Sequence, residues 1–190
     1  KLYNDKNEVG RSCARFPTAK RLFFRSTGLE KLFPKYSLFT SNFDHLSTRE
    51  VDQVIGAFFL VKRDVFKKLN GFDERFFVYM EEVDFSFRAK LLGWKSIYYS
   101  EASAFHYGGA SSSKVNVLRL FYYLRSRLQY SEKHFGNFSL AIIFFLTLVI
   151  EPITRVVFFL INFKIYEVVS TLKAYRKLIG WIFLGKDYVK

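Results

Sequence analysis

Apolar residues are nearly unbroken from residue 51 to residue 61, where Val54, Ile55, Ala57, Phe58, Phe59, Leu60 and Val61 surround Gly56. This pattern predicts a strand buried on both faces, with a glycine that lets another group approach the backbone. From residue 63 to 69 the spacing becomes helical, with Val65, Phe66 and Leu69 inward, and Asn70-Gly71 supplies a stop. Val83, Phe87 and Leu91 then recur four apart, and Asp84 and Arg88 form an oppositely charged pair at the same spacing. A helix of roughly three turns is predicted there, closed by Gly93. Residues 94–99 and 102–107 read as strands, the second carrying Ala102, Ala104 and His106 on one face, and the glycine- and serine-rich stretch 108–113 reads as a loop.

Before residue 51 the pattern is irregular, with turn formers at Asn4-Asp5-Lys6-Asn7, breaks at Pro17 and Pro34, and a short helix predicted over 19–25. Beyond residue 114 the chain reads as helices. Leu118, Phe121, Tyr122, Arg125 and Leu128 form one stripe, with Arg119 and Arg127 off it. Residues 138–150 carry no charge, Glu151-Pro152 and Arg155 interrupt, and 156–161 is apolar again. A helix crossing a bilayer needs about 20 apolar residues. A continuous span would have to bury Glu151 and Arg155, so a hairpin around Pro152, a crossing helix and helices lying flat all remain open. The last helix sets Ile165, Val168, Val169, Leu172, Tyr175 and Ile179 on one side and Lys173, Arg176 and Lys177 near the other, a pattern suited to the membrane interface.

Composition narrows the reading. Half of the 190 residues are apolar, enough for one ordinary core with an appendage. The net charge of +13 is uneven: ten basic residues against five acidic over 1–50, eight against eight over 51–113, and twelve against four over 114–190. A basic, apolar tail suits an anionic membrane surface, and no nucleic-acid-binding motif accompanies it, so no nucleic-acid partner is expected. The single Cys13 excludes an internal disulfide framework and a cysteine zinc site. The chain opens on Lys1 with no signal-peptide pattern and is expected to start within a longer protein.

The charge-balanced middle holds the candidate chemistry. Glu81, Glu82 and Asp84 enter a predicted helix start behind the aromatic residues Phe72, Phe76, Phe77 and Tyr79. Helix N–H groups hold a carboxylate there, and nearby rings exclude water and make its proton affinity adjustable, as a general base requires. His106, at a strand end beside a glycine-rich loop, is a candidate ligand that cannot hold a metal unaided.

Residues 51–61, then 71–85 with Glu81-Glu82, then Arg88, Gly93-Trp94 and His106, together resemble the C-terminal half of family 2 glycosyltransferases, closest to the rhamnosyltransferase-like branch. The resemblance covers roughly residues 9–135, with Phe16-Pro17-Thr18, Leu32-Phe33-Pro34 and Tyr122-Tyr123 among the matching positions. It implies an α/β fold: residues 1–113 as the C-terminal part of a GT-A glycosyltransferase domain, and 114–190 as membrane-associated helices. It further implies a nucleotide-sugar donor, a glycan or lipid-linked acceptor, a divalent metal (Mg or Mn) and a place at the cytoplasmic face of the cell membrane. By position, Glu82 is the implied general base of an inverting transfer, Gly56, Ala57, Glu81, Asp84 and Arg88 contact substrate, and His106 helps hold the metal. The family usually has Glu-Asp where Glu81-Glu82 stands, and its nucleotide-binding half with the Asp-x-Asp metal motif is missing, so the fragment alone is expected to be inactive. The alternative is a non-catalytic membrane-associated module whose acidic stretch is structural.

Overall fold

The computed structural model describes residues 1–39, 43–106 and 116–185. It is mostly helical, with three small two-stranded sheets in place of the larger sheet expected of an α/β fold. Strand β1 (Leu2–Tyr3) starts the chain, followed by β2 (Cys13–Ala14) and helix α1 (Ala19–Ser26), whose first turn is capped by the Thr18 hydroxyl accepting from the Arg21 N–H. Strands β3 (Arg49–Val51) and β4 (Gln53–Val54) precede α2 (Arg63–Lys68) and α3 (Glu81–Leu91). Strands β5 (Ser96–Tyr98) and β6 (Ala104–Phe105) complete the sheets: β6 pairs in parallel with β1, while β2 with β4 and β3 with β5 are antiparallel. Then come α4 (Asn116–His134), α5 (Asn137–Phe145), α6 (Glu151–Ile161) and α7 (Ile165–Leu184).

The long strand expected over 51–61 does not form. Pairing ends at Val54, Gly56–Phe58 is a single 3-10 turn, and Phe58 and Leu60 are exposed. An apolar run extends as a strand only as far as a neighbour takes its N–H and C=O groups, and here the ladder between β2 and β4 stops at Val54. The helices fared better. Asn70 (φ 57°) and Gly71 (φ 73°) end α2 in left-handed conformations, and Gly93 (φ 84°) follows α3. The expected strand over 102–107 shortens to β6, and residue 107 and the loop 108–113 lie outside the described residues.

Three apolar clusters form the core, and α4 contributes to two of them. Val65, Phe85 and Ala89 join α2 to α3; Phe16, Phe76, Met80 and Val83 meet Tyr130 of α4; Leu22, Phe121, Leu124, Leu128, Ile143, Leu146 and Leu178 close the helical part. Residues 137–161 form one continuous helix rather than a hairpin at Pro152. Leu146–Ile150, between α5 and α6, is wound as a π-turn. The wider turn accommodates a proline that cannot donate back to the preceding turn.

Arg127, expected off the apolar stripe of α4, is instead fully buried. Its Nη2 donates to Glu151 Oε2 at 2.6 Å and to Thr147 Oγ1 at 2.8 Å, and Arg155 donates to the other Glu151 oxygen at 2.8 Å. The charge at Glu151 is thus compensated inside the helical part by α4 and by the next turn of its own helix. Removing one partner of such a pair leaves an uncompensated buried charge, so Glu151→Ala is expected to cost about 3–5 kcal/mol. Chemical denaturation of the purified protein checks this, with Glu151→Gln losing less because it retains hydrogen bonds to the guanidinium.

The helical part is apolar outside and partly polar inside. Ser126, Ser131, Thr147, Ser170 and Thr171 are buried, while Phe138, Ile153, Ile161, Phe163, Ile165, Leu172 and Phe183 are exposed. Helix 137–161 is long and apolar enough to cross a bilayer. Helix α7 turns Ser170, Thr171, Ala174 and Tyr175 inward and leaves most of its predicted apolar stripe outward.

Candidate active site

The segment before α3 is backbone-strained. Tyr79 (φ 67°) and Met80 (φ 69°) are consecutive non-glycine residues in the left-handed region, each costing on the order of 1–3 kcal/mol. The surroundings hold them there. Met80 is buried among Phe16, Phe76, Val83 and Tyr130, the Tyr79 ring lies 6.4 Å from that of Tyr123, and the Ser126 hydroxyl of α4 donates to the Val78 carbonyl at 2.8 Å. The kink starts α3 abruptly and puts Glu81 and Glu82 in its first turn.

Both carboxyls are half-buried, and each has an Oε2 buried without a hydrogen-bond partner among the described residues. Burial raises the proton affinity of Glu82, the Glu81 charge raises it further, and backbone groups at Glu82, Gly56 and Val83 pull the other way. Glu81 is also pushed up, by burial. The carboxyl of Glu82 lies beside the 3-10 turn at Gly56, where an added Cβ would meet Glu82 Cδ at 3.9 Å, an ordinary contact distance. The structure therefore brings Gly56, Glu81 and Glu82 together, with Ala57 exposed on the same turn.

Asp84 and Arg88, expected to contact substrate, are occupied inside the protein. Asp84 has no exposed surface. Its Oδ2 accepts from Arg88 Nε at 2.7 Å, and its Oδ1 lies 2.6 Å from Lys133 Nζ and 2.7 Å from His134 Nε2. Arg88 also donates to the carbonyls of Leu69 at 2.6 Å and Gly71 at 2.9 Å, and Lys133 reaches Asp73 Oδ2 at 2.7 Å. Burial opposes the Asp84 charge, but the bonds from His134, Lys133 and Arg88 outweigh it and hold the carboxyl below its usual range. This knot fastens α3 to α4 and to the end of α2. Nothing in the sequence pairs Lys133 and His134 with Asp84; a Lys-His pair at a helix C-terminus, fifty residues from its aspartate, carries no local signal of partnership.

His106 lies at the end of β6, exposed, its N–H donating to the Tyr3 carbonyl at 2.8 Å. Among the described residues nothing bonds it to Glu82, and no three His, Cys, Asp or Glu side chains converge as metal ligands. The residues described do not by themselves make the metal site that the resemblance implies. The expected wall of aromatics divides: Phe76 is buried beside Met80, Phe72 packs on Phe85, and Phe77 is exposed against Tyr122.

No family model matches the chain, and no solved structure does. An N-acetylglucosaminyl-diphospho-decaprenol L-rhamnosyltransferase of Mycobacterium tuberculosis, in strains CDC 1551 and H37Rv alike, is 40% identical over 68 residues, covering 36% of this chain and 22% of that protein. Rhamnosyltransferase WbbL of Escherichia coli K12 is 31% identical over 80 residues, covering 42% of this chain and 30% of that protein. The chain thus spans less than a third of the length of these curated relatives. Over this partial stretch, the similarity supports a relationship to glycosyltransferases.

Proposed function

We propose that the chain is the acceptor-side part of an inverting family 2 glycosyltransferase of GT-A fold, in which Glu82 is the general base. The observation that carries the proposal is the Glu82 carboxyl itself, half-buried, with one oxygen unpartnered, at a helix start fixed by two strained residues. The ionised carboxylate takes the proton from an acceptor hydroxyl; that oxygen forms a bond to the anomeric carbon of the donor sugar as the bond to the nucleoside diphosphate breaks. Burial, reinforced by the Glu81 charge, keeps the proton affinity of Glu82 high. A divalent cation, Mg²⁺ or Mn²⁺, belongs to the proposal with His106 as a single candidate ligand. Acceptors on a lipid carrier or cell-surface glycan fit the exposed apolar faces of α6 and α7, which would seat the enzyme on the cytoplasmic side of a membrane.

Sugar transfer by the full-length protein from a panel of nucleotide sugars tests the chemistry; turnover by Glu82→Gln equal to wild type overturns it. The membrane part has its own check. Replacing Val169, Leu172 and Ile179 together by Asp, all on the exposed face of α7, is expected to release the protein from phosphatidylglycerol vesicles in flotation, whereas unchanged flotation refutes that role.

A further inference from the structure

Helix 137–161 runs for 25 residues, yet the part of the chain before residue 106 lies against it along its length. In its first half, Ile143 and Leu146 join Leu22 of α1 and Leu38 in one cluster. Near its middle, the Ser26 hydroxyl of α1 donates to Glu151 Oε2 at 3.3 Å, and the Thr154 hydroxyl donates back to the Ser26 carbonyl at 3.1 Å. Towards its end, Lys31 Nζ stands 4.6 Å from the centre of the Phe158 ring. A helix that crosses a bilayer meets a water-facing part at one end only. Placed across a membrane, this one would carry α1 with its exposed Lys20 into the hydrocarbon, where a charged side chain is costly.

The other side of the helix is an apolar stripe. Ile143, Thr147 and Glu151 are buried; two residues on from each, and so roughly half a turn away, Phe145, Val149 and Ile153 are exposed. Steps of four residues overrun a 3.6-residue turn, and the wider π-turn at Leu146–Ile150 takes up the excess, which keeps the stripe on one side. Exposed basic side chains accompany it: Lys31 at Phe158, Lys164 just past the helix, and Lys173 and Arg176 on α7. We infer that helix 137–161 lies along the surface of an anionic bilayer, with both ends on the same side, rather than crossing it. A long apolar stripe backed by charge-bearing segments and flanked by cations complements the boundary between acyl chains and anionic headgroups. The inference deepens the membrane seat proposed above and rests on it; it is independent of the role of Glu82.

Nitroxide depth measurements test the inference. Single cysteines are placed in turn at residues 138, 145, 149, 153 and 161 of the full-length protein with its other cysteines replaced, spin-labelled, and bound to vesicles of phosphatidylcholine and phosphatidylglycerol. Labels at 145, 149 and 153 are expected at one shallow depth, about 5–10 Å below the headgroups. A crossing helix instead puts 149 near the bilayer centre, roughly 15 Å deeper than 138 and 161, and that profile overturns the inference while leaving the membrane seat intact. All five positions are exposed apolar sites, and if one label unfolds its variant the remaining positions still separate a level profile from a peaked one. Flotation is expected to weaken by roughly tenfold or more when phosphatidylglycerol is omitted, since each basic side chain near an anionic surface contributes severalfold. Equal flotation on both vesicles overturns the choice of an anionic partner, and no flotation on either overturns the membrane seat together with this inference. Labels on the stripe that stay out of the lipid and show spin–spin broadening between copies overturn it in favour of a dimer.

Discussion

Glu82→Gln in the full-length protein is expected to lower turnover by about 10²–10⁴-fold, the usual contribution of a positioned base, without unfolding α3. The amide keeps the size and the backbone contacts of the carboxylate and loses only the ability to take a proton. Two further readouts follow from the direction of its proton affinity. Burial, reinforced by Glu81, holds Glu82 above the ordinary carboxylate value, so the acidic limb of the turnover profile should lie at higher pH than an exposed glutamate would give. The folded state binds this proton more tightly than the unfolded chain. The carboxyl therefore imposes least on stability below the unfolded value, and stability falls as pH rises through the folded one. A neutral glutamine removes that penalty, so thermal melting of Glu82→Gln at neutral pH should match or exceed wild type. An inactive variant that is also markedly less stable would indicate a structural residue rather than a base.

Asp84→Asn should act in the opposite manner, on stability first. Arg88, Lys133 and His134 converge on a carboxyl with no exposed surface, and neutralising it removes the counter-charge of Arg88 and Lys133 there. Loss of one partner from a buried cluster of this kind costs about 3–5 kcal/mol, which denaturant unfolding at neutral pH can measure. Here the folded proton affinity is lowered, so the stabilisation is present above the unfolded carboxylate value and is lost as pH falls through the folded one. The gap between wild type and Asp84→Asn should therefore narrow in acid. A variant as stable as wild type at neutral pH would mean that α3 is held to α4 by its apolar contacts alone, through Phe76, Met80, Val83 and Tyr130.

Local features were legible because their causes are local. The stop at Asn70-Gly71, the eleven-residue α3 with its Asp84–Arg88 pair, and the carboxylates in its first turn follow from spacing and turn chemistry within a few residues. Gly56 was marked as a point of close approach; Glu82 is its neighbour, at an ordinary contact distance. The apolar run 51–61 was misread because strand formation depends on distant edges, which hydrophobic periodicity does not encode. Arg127 was misplaced for a related reason: a helix stripe records what is apolar, while a buried guanidinium is determined by a carboxylate on another helix, here Glu151.

By itself the sequence determined where helices start and stop, that an acidic pair opens one of them, and that the last third of the chain is both basic and apolar. Backbone propensity and charge spacing act over single turns and can be read in order along the chain. Only the tertiary structure decided that Asp84 is spent on Lys133 and His134 while Glu82 keeps a free oxygen, and that Arg127 and Ser26 meet Glu151 in the middle of helix 137–161. Those outcomes depend on which distant groups reach each carboxylate and each cation once the chain is packed, and burial sets their strength.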